Sequence, residues 1–144
     1  MKIVFTKNNP STHTVSVFKD GKKFDEVMLD TKTYFLHDLS HYCVETELRF
    51  TEGFWGMIAQ GYKMEQLAGK TNELTSELRQ IERLVGATQS VYSGYMPLEL
   101  FYENIKAVNY SVSADVLENV IKEIQAFMNE WNYLAVGQRL ELEF

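Results

Sequence analysis

Cysteine is nearly absent from this sequence, and so are long runs of apolar residues. The single cysteine, Cys43, has no partner for a disulfide within the chain, which is typical of a reducing compartment. The longest stretch without a polar side chain is residues 53–59, whereas a membrane-spanning helix needs about 20 apolar residues. The apolar stretch at residues 3–5 is too short for a signal peptide. We therefore expect a soluble, cytoplasmic protein that does not bind membranes.

Positive charge is also scarce. The chain has 14 lysines and arginines against 20 aspartates and glutamates, and its longest basic run is Lys22-Lys23. A net charge of −6 without a basic cluster repels a phosphate backbone, so no nucleic-acid binding is expected. The glycine-rich phosphate loops, the G-x-S-x-G motif and the C-x-x-C pair are missing too. The common nucleotide-binding, hydrolase and redox templates therefore do not fit.

The composition that remains is that of an ordinary globular protein. Hydrophobic residues make up 45% of the 144 residues and charged residues 24%, which argues against disorder. A chain of this length can bury roughly two-thirds of its unfolded surface without disulfides or metals to hold it. We expect one domain, residues 1–144.

The first thirty residues and the last six predict β-strands. HTVSVF and KFDEVML are rich in β-formers and are joined through Asp20-Gly21, a strong hairpin signal. A two-residue loop would place Val17 opposite Phe24 and a longer loop would not, so the sequence leaves the register of this hairpin open. RLELEF, residues 139–144, alternates apolar and charged side chains, so one of its faces should be buried. Because an isolated strand cannot satisfy its backbone, we expect it to pair with the N-terminal hairpin strands.

The middle of the chain predicts helices, because the apolar period changes from two to 3.6 at about residue 33. In the last of these helices we expect Ser113 to be the N-cap and Ile124 and Phe127 to be fully buried. The expected class is α+β, a small antiparallel sheet with four to five helices packed on one face. The predicted helices cover residues 33–50, 53–67, 72–85, 97–107 and 114–134.

HDLSHYCVE, residues 37–45, raises the sharpest functional hypothesis. His37, His41 and Glu45 recur every four residues, so on a helix they share one face and could reach one cation. Two histidines and a carboxylate suit a divalent transition metal, zinc or iron, better than calcium. The pattern thus predicts either a three-ligand metal site with an open position or no cofactor at all.

Simpler interpretations stand beside the metal site. The stripe could be the polar face of a surface helix, and Asp38 could be the N-cap, which would leave His37 outside the helix. In a further alternative, Glu45 only forms a hydrogen bond with His41 and raises its pKa. Cys43 is expected to be a buried, inert thiol, and His13 a solvated residue on a strand.

Aromatic residues provide a second candidate site. Tyrosine offers a rigid ring with a polar tip, which suits pocket walls and interfaces, although tyrosines can equally fill the edge of a core. The candidates for ligand binding are Tyr92, Tyr95, Tyr102 and Trp55.

Two motifs resemble those of a family of small, uncharacterised bacterial proteins. That family has a D-L-x-H-[YF]-x-V-E helix, a G-F-[WF]-G helix start and a short terminal strand with alternating leucines. The resemblance implies no activity, but it directs attention to His41 and Glu45 more than to His37. The matching residues are Asp38, Leu39, His41, Tyr42, Val44, Glu45, Gly53, Phe54, Trp55, Gly56, Leu140, Leu142 and Phe144.

Taken together, these features predict a binding or interaction protein without evident catalysis. Its partner would be a protein or a small ligand, or a second copy of the chain in a homo-oligomer. The alternative is a metal-binding protein or metal-dependent enzyme that uses His41, Glu45 and also His37.

Overall fold

The computed structural model describes residues 1–67 and 75–144, and within them the chain forms one antiparallel sheet. The strands are β1 (Lys2–Lys7), β2 (Thr12–Lys19), β3 (Lys22–Asp30) and β4 (Arg139–Glu143). Their order in the sheet is β3-β2-β1-β4. With the helices that follow, this confirms the α+β class.

The predicted hairpin between β2 and β3 closes with a two-residue loop, Asp20-Gly21. Asp20 and Gly21 both have positive φ, 50° and 73°, as the tight turn of a twisted hairpin requires. A bulge between Val17 and Phe18 then shifts the register, so Val17 pairs with Asp25. The sequence leaves the register open, and the pairing of Val17 with Phe24 that a regular two-residue hairpin would give does not form, because a bulge adds one residue to one strand of the pair.

Strand β4 pairs with β1 and forms one edge of the sheet. Leu140 and Leu142 lie opposite Phe5 and Ile3, and all four side chains are buried. The prediction that RLELEF pairs with an N-terminal strand is confirmed, although its partner is β1 and not the β2–β3 hairpin.

A helical layer packs against these buried side chains. A π-helical turn (Thr31–Phe35) leads into α1 (Leu36–Leu48), which packs against three other helices of this layer. The region predicted as one helix at 53–67 divides into α2 (Phe54–Gln60) and α3 (Met64–Leu67), because Gly61 ends α2 with φ 116°. Leu74 of the predicted third helix lies outside the described residues. The remaining helices are α4 (Ser76–Tyr92), α5 (Leu98–Ile105) and α6 (Ala114–Tyr133).

Helix α6 starts as predicted. The Ser113 hydroxyl accepts a hydrogen bond from the Val116 amide at 3.3 Å, and Ile124 is completely buried. The prediction for Phe127 is wrong, since its side chain is only half-buried. It lies at the edge of the apolar stripe, whereas Trp131, stacked on Phe35 with ring centres 4.1 Å apart, occupies the interior position. Among the described residues, no helix has the length and hydropathy to span a membrane.

Candidate metal centre

Helix α1 runs through the middle of the helical layer, and this position encloses its polar residues. The π-helical turn before it is capped by Asp30, whose carboxylate accepts from the Thr33 amide at 2.8 Å. The helical path is therefore already established when α1 begins. Asp38 is not an N-cap, and His37 lies inside the helix.

Eight consecutive residues of α1, Asp38 to Glu45, are buried. The interpretation of this stripe as the solvated face of a surface helix is therefore wrong. The polar side of α1 faces α4, with α2 covering its middle.

Glu45 and His41 form a hydrogen-bonded pair in the interior. Glu45 Oε1 lies 2.9 Å from His41 Nδ1, and both side chains are essentially inaccessible to solvent. The other oxygen, Glu45 Oε2, accepts from the Gly56 amide at 3.0 Å in the first turn of α2. Each carboxylate oxygen of Glu45 therefore has a hydrogen-bond partner, and the carboxylate links α1 to α2.

Gly53 leaves the space that this carboxylate fills. A Cβ atom on Gly53 would lie 2.2 Å from Glu45 Cδ, far inside van der Waals contact. Trp55 makes a second link between α2 and α1, because its indole Nε1 donates to the Asp38 carbonyl at 2.9 Å. The Glu45 carboxylate is therefore held in one orientation by hydrogen bonds to His41 and to the Gly56 amide and by its close approach to Gly53.

The opposite nitrogen of His41 faces a residue from α4. His41 Nε2 lies 3.2 Å from Glu82 Oε1, yet the contact lacks hydrogen-bond geometry and this buried nitrogen has no hydrogen-bond partner in the described chain. Glu82 Oε2 lies 3.7 Å from His37 Nε2. One atom from each of His37, His41 and Glu82 lies within 4.8 Å of the other two.

This cluster is closed on one side and open on the other. His37 stands edge-on to His41 with ring centres 4.7 Å apart, and its Nδ1 lies 3.3 Å from the Gln89 side-chain oxygen. The side chains of His37 and Glu82 are 35% and 32% exposed, whereas His41 is enclosed. A group held by all three side chains would thus be reachable from solvent past His37 and Glu82.

The charges in the cluster are strongly coupled. Burial would lower the pKa of His41, but the carboxylates of Glu45 and Glu82 outweigh it and raise that pKa to about 9. Burial and the neighbouring His41 charge lower the pKa of His37. Burial raises the pKa of Asp38 to about 7. At neutral pH the cluster therefore combines a charged His41 with a neutral His37.

The structure brings together two of the three residues that the sequence spacing picked out, and it adds a third. His37 and His41 converge, while Glu45 lies on the far side of the His41 ring and contacts Nδ1. Glu82 was missed. Its signal was present, since it lies one turn after Leu78 and three residues before Val85, within the apolar stripe of α4. A carboxylate in a buried stripe needs a partner, and His41 and His37 are that partner.

The aromatic candidates differ widely in their exposure to solvent. Tyr95 is 88% exposed and Tyr92 is half-buried. Tyr102 is also half-buried, with a buried hydroxyl that has no partner among residues 1–67 and 75–144. Trp55 is fully enclosed and packs edge-on against Phe54.

The sequence also gives expectations for the burial of Cys43 and His13. Cys43 is buried and free, and burial raises the pKa of its thiol far above its ordinary value, which fits an inert residue. The expectation of a solvated His13 is wrong. His13 is completely buried because it follows the inward alternation of Val15 and Val17 on β2.

Comparison of the chain with protein-family models, with curated proteins and with solved structures gave no match. The resemblance to the uncharacterised bacterial family stays a prediction. Function must therefore be inferred from the site itself.

Proposed function

We propose that this protein binds one divalent transition-metal ion through His37, His41 and Glu82. The observation that carries the proposal is the buried Nε2 of His41, which lacks a hydrogen-bond partner in the described part of the chain and points at the other two side chains. This nitrogen faces the Glu82 carboxylate at 3.2 Å without hydrogen-bond geometry, and a metal ion between the two groups would satisfy both.

The donor set suits zinc or ferrous iron. Two imidazoles and one carboxylate are ligands that these metals share, whereas calcium and magnesium prefer oxygen alone. With bonds of about 2.0–2.2 Å, ligand atoms on one zinc ion are separated by roughly 3–3.6 Å. The present separations reach 4.8 Å at most, so metal binding requires the side chains to close by about an ångström. The half-exposed His37 and Glu82 have the freedom to make this movement.

Three protein ligands leave a coordination position open, as in catalytic zinc sites. That position would lie on the solvent side, between His37 and Glu82. Water or a small anionic ligand could occupy it, and the metal would act there as a Lewis acid.

The test uses protein purified without an affinity tag, stripped with chelator and titrated with zinc. One equivalent should bind, measured by elemental analysis after dialysis and by competition with a coloured chelator. Glu82→Gln and His37→Ala should each weaken binding at least tenfold. The control is Glu77→Gln, an exposed carboxylate on the same helix, which should bind as the wild type does. Failure to bind zinc or iron, or equal affinity in Glu82→Gln, would contradict the proposal.

A second candidate is binding of a protein partner, and a specific surface favours it. Tyr95, Leu98 and Leu100 are close in sequence and are 88%, 47% and 51% exposed. Exposed apolar side chains in one segment suit an interface, including one between two copies of the chain. Mass in solution, compared between the wild type and a Tyr95→Ser/Leu100→Ser variant, tests this candidate. If the wild type is a monomer in solution, the hypothesis that this surface joins two copies of the chain is contradicted.

A further inference from the structure

Glu45 can do more than stabilise the interior around His41. An imidazole binds metal through a nitrogen that carries no proton, so only one of its two neutral tautomers leaves Nε2 free for a metal. The residue that faces Nδ1 determines which tautomer is favoured. In this structure that residue is Glu45, at 2.9 Å.

Two carboxylates compete for the His41 proton. The contact from Nδ1 to Glu45 is short and has hydrogen-bond geometry, whereas the 3.2 Å contact from Nε2 to Glu82 does not. Glu45 is also fully enclosed, so water cannot replace His41 as its hydrogen-bond partner, whereas Glu82 is partly exposed to water. Neutral His41 therefore keeps its proton on Nδ1, which leaves the lone pair of Nε2 directed at His37 and Glu82.

The position of the proton on His41 depends on the carboxylate of Glu45 and not merely on the shape of its side chain, and the second carboxylate oxygen is the reason. Gly56 presents a backbone N–H, a group that can only donate, and Glu45 Oε2 accepts from it at 3.0 Å. A glutamine at position 45 has one oxygen and one NH₂ group. Its oxygen would be taken by the Gly56 amide, because an NH₂ group placed there would meet another donor. The NH₂ group would then face His41 Nδ1, which could only accept, and the ring proton would move to Nε2.

We propose that Glu45 is a positioning residue that holds His41 in its metal-binding tautomer, and that Glu45→Gln, a change of nearly equal shape, switches the metal site off. The inference rests on the proposed metal-binding function. It goes beyond that function by assigning the competence of the site to a residue that does not touch the metal.

The experiment compares the wild type, Glu45→Gln and the control Glu47→Gln, an exposed glutamate on the same helix. Long-range ¹H–¹⁵N spectra of metal-free protein, recorded where His41 is neutral, report which ring nitrogen carries the proton. The wild type and Glu47→Gln should show Nδ1–H, and Glu45→Gln should show Nε2–H. Zinc affinity of Glu45→Gln should fall by about 10–100-fold, the usual effect of losing such a partner. The affinity of Glu47→Gln should stay unchanged.

The outcomes separate the two proposals. A wild-type protein with Nε2–H overturns the inference even if Glu45→Gln fails to fold. Glu45→Gln with Nδ1–H, or with unchanged zinc affinity, overturns it too. If the tautomer switches as expected but the wild-type protein binds no metal, the proposed function is overturned. The claim that Glu45 controls metal affinity then falls with it.

Discussion

His13 and His41 are both enclosed by the protein, yet their surroundings give them opposite charge states. The ring of His13 lies among Phe5, Phe35 and Trp131, with centres 5.5–6.0 Å away. Burial there lowers its pKa to about 4, against a weaker opposing effect of Asp30. His41 is buried as deeply, but two carboxylates raise its pKa to about 9.

The comparison shows that burial alone does not fix the state of a histidine. Among residues 1–67 and 75–144, the Thr31 hydroxyl, 3.2 Å from Nδ1, is the hydrogen-bond partner of the His13 ring, and the buried Nε2 has none. A neutral ring suffices in that place, and it acts as one more aromatic side chain of the core. At His41 the carboxylates of Glu45 and Glu82 require a positive charge between them, which can be a proton or a metal ion.

Among the substitutions that test this comparison, Glu45→Ala should cause the largest loss of stability. The change leaves the His41 charge without its closest partner and the Gly56 amide without an acceptor, so we expect a loss of about 3–5 kcal/mol in unfolding free energy. Urea denaturation at neutral pH measures it. The exposed Glu47→Ala is the matched control and should change stability by less than about 0.5 kcal/mol. A loss below about 1 kcal/mol for Glu45→Ala would mean that water reaches His41 in its place.

A smaller effect concerns His13 and depends on pH. Its folded pKa is about 4 and its ordinary value is 6.5, so between these values the unfolded chain binds a proton that the folded one does not. The wild type should therefore lose stability relative to His13→Phe as the pH falls from 6.5 to 4, by at most about 1.4 kcal/mol per pH unit. Parallel stability curves for the two proteins over this range would show that His13 is protonated in the fold.

His41 should show the reverse sign. Its raised pKa means that its stabilising contribution is complete below pH 6.5 and is lost as the pH rises through about 9. Ring signals in NMR spectra read both residues at once. Between pH 5.5 and 8, His13 should stay neutral and His41 charged, and either one titrating near 6.5 would contradict the comparison.

The smallest effect should come from Glu82→Gln in metal-free protein. Glu82 is partly exposed, so its ion pair with His41 is screened, and we expect a loss below about 1 kcal/mol. Denaturation in the presence of chelator measures it. A loss as large as that of Glu45→Ala would place Glu82 among the groups that hold the interior together.

The parts of the fold that could be predicted from sequence are those that depend on residues close together in the chain. The Asp20-Gly21 turn, the Ser113 cap and the alternation of Leu140 and Leu142 are local signals, and all three are confirmed. The spacing of His37 and His41 is local too, since one helical turn brings them together.

One of the two missed features, the role of Glu82, depends on packing between distant segments. Glu82 meets His41 only because α4 lies against α1, and no spacing rule relates residues 41 positions apart. The burial of His13 was within reach, because its alternation with Val15 and Val17 places it on the inner face of β2. The polarity of histidine favours exposure, but its position in the strand places His13 in the core.

The close approach of the Glu45 carboxylate to Gly53 has a consequence for sequence variation. Gly53 has φ −81° and ψ −175°, a conformation that any residue adopts, so glycine is required there by the neighbouring carboxylate and not by the backbone. Alanine at position 53 should then be tolerated only with a shorter side chain at position 45. In a selection for folded variants, Gly53→Ala should acquire suppressors at position 45, with aspartate or serine restoring the fold. Positions 45 and 53 would thus vary as a pair, and the restored fold would lack the side chain that orients His41.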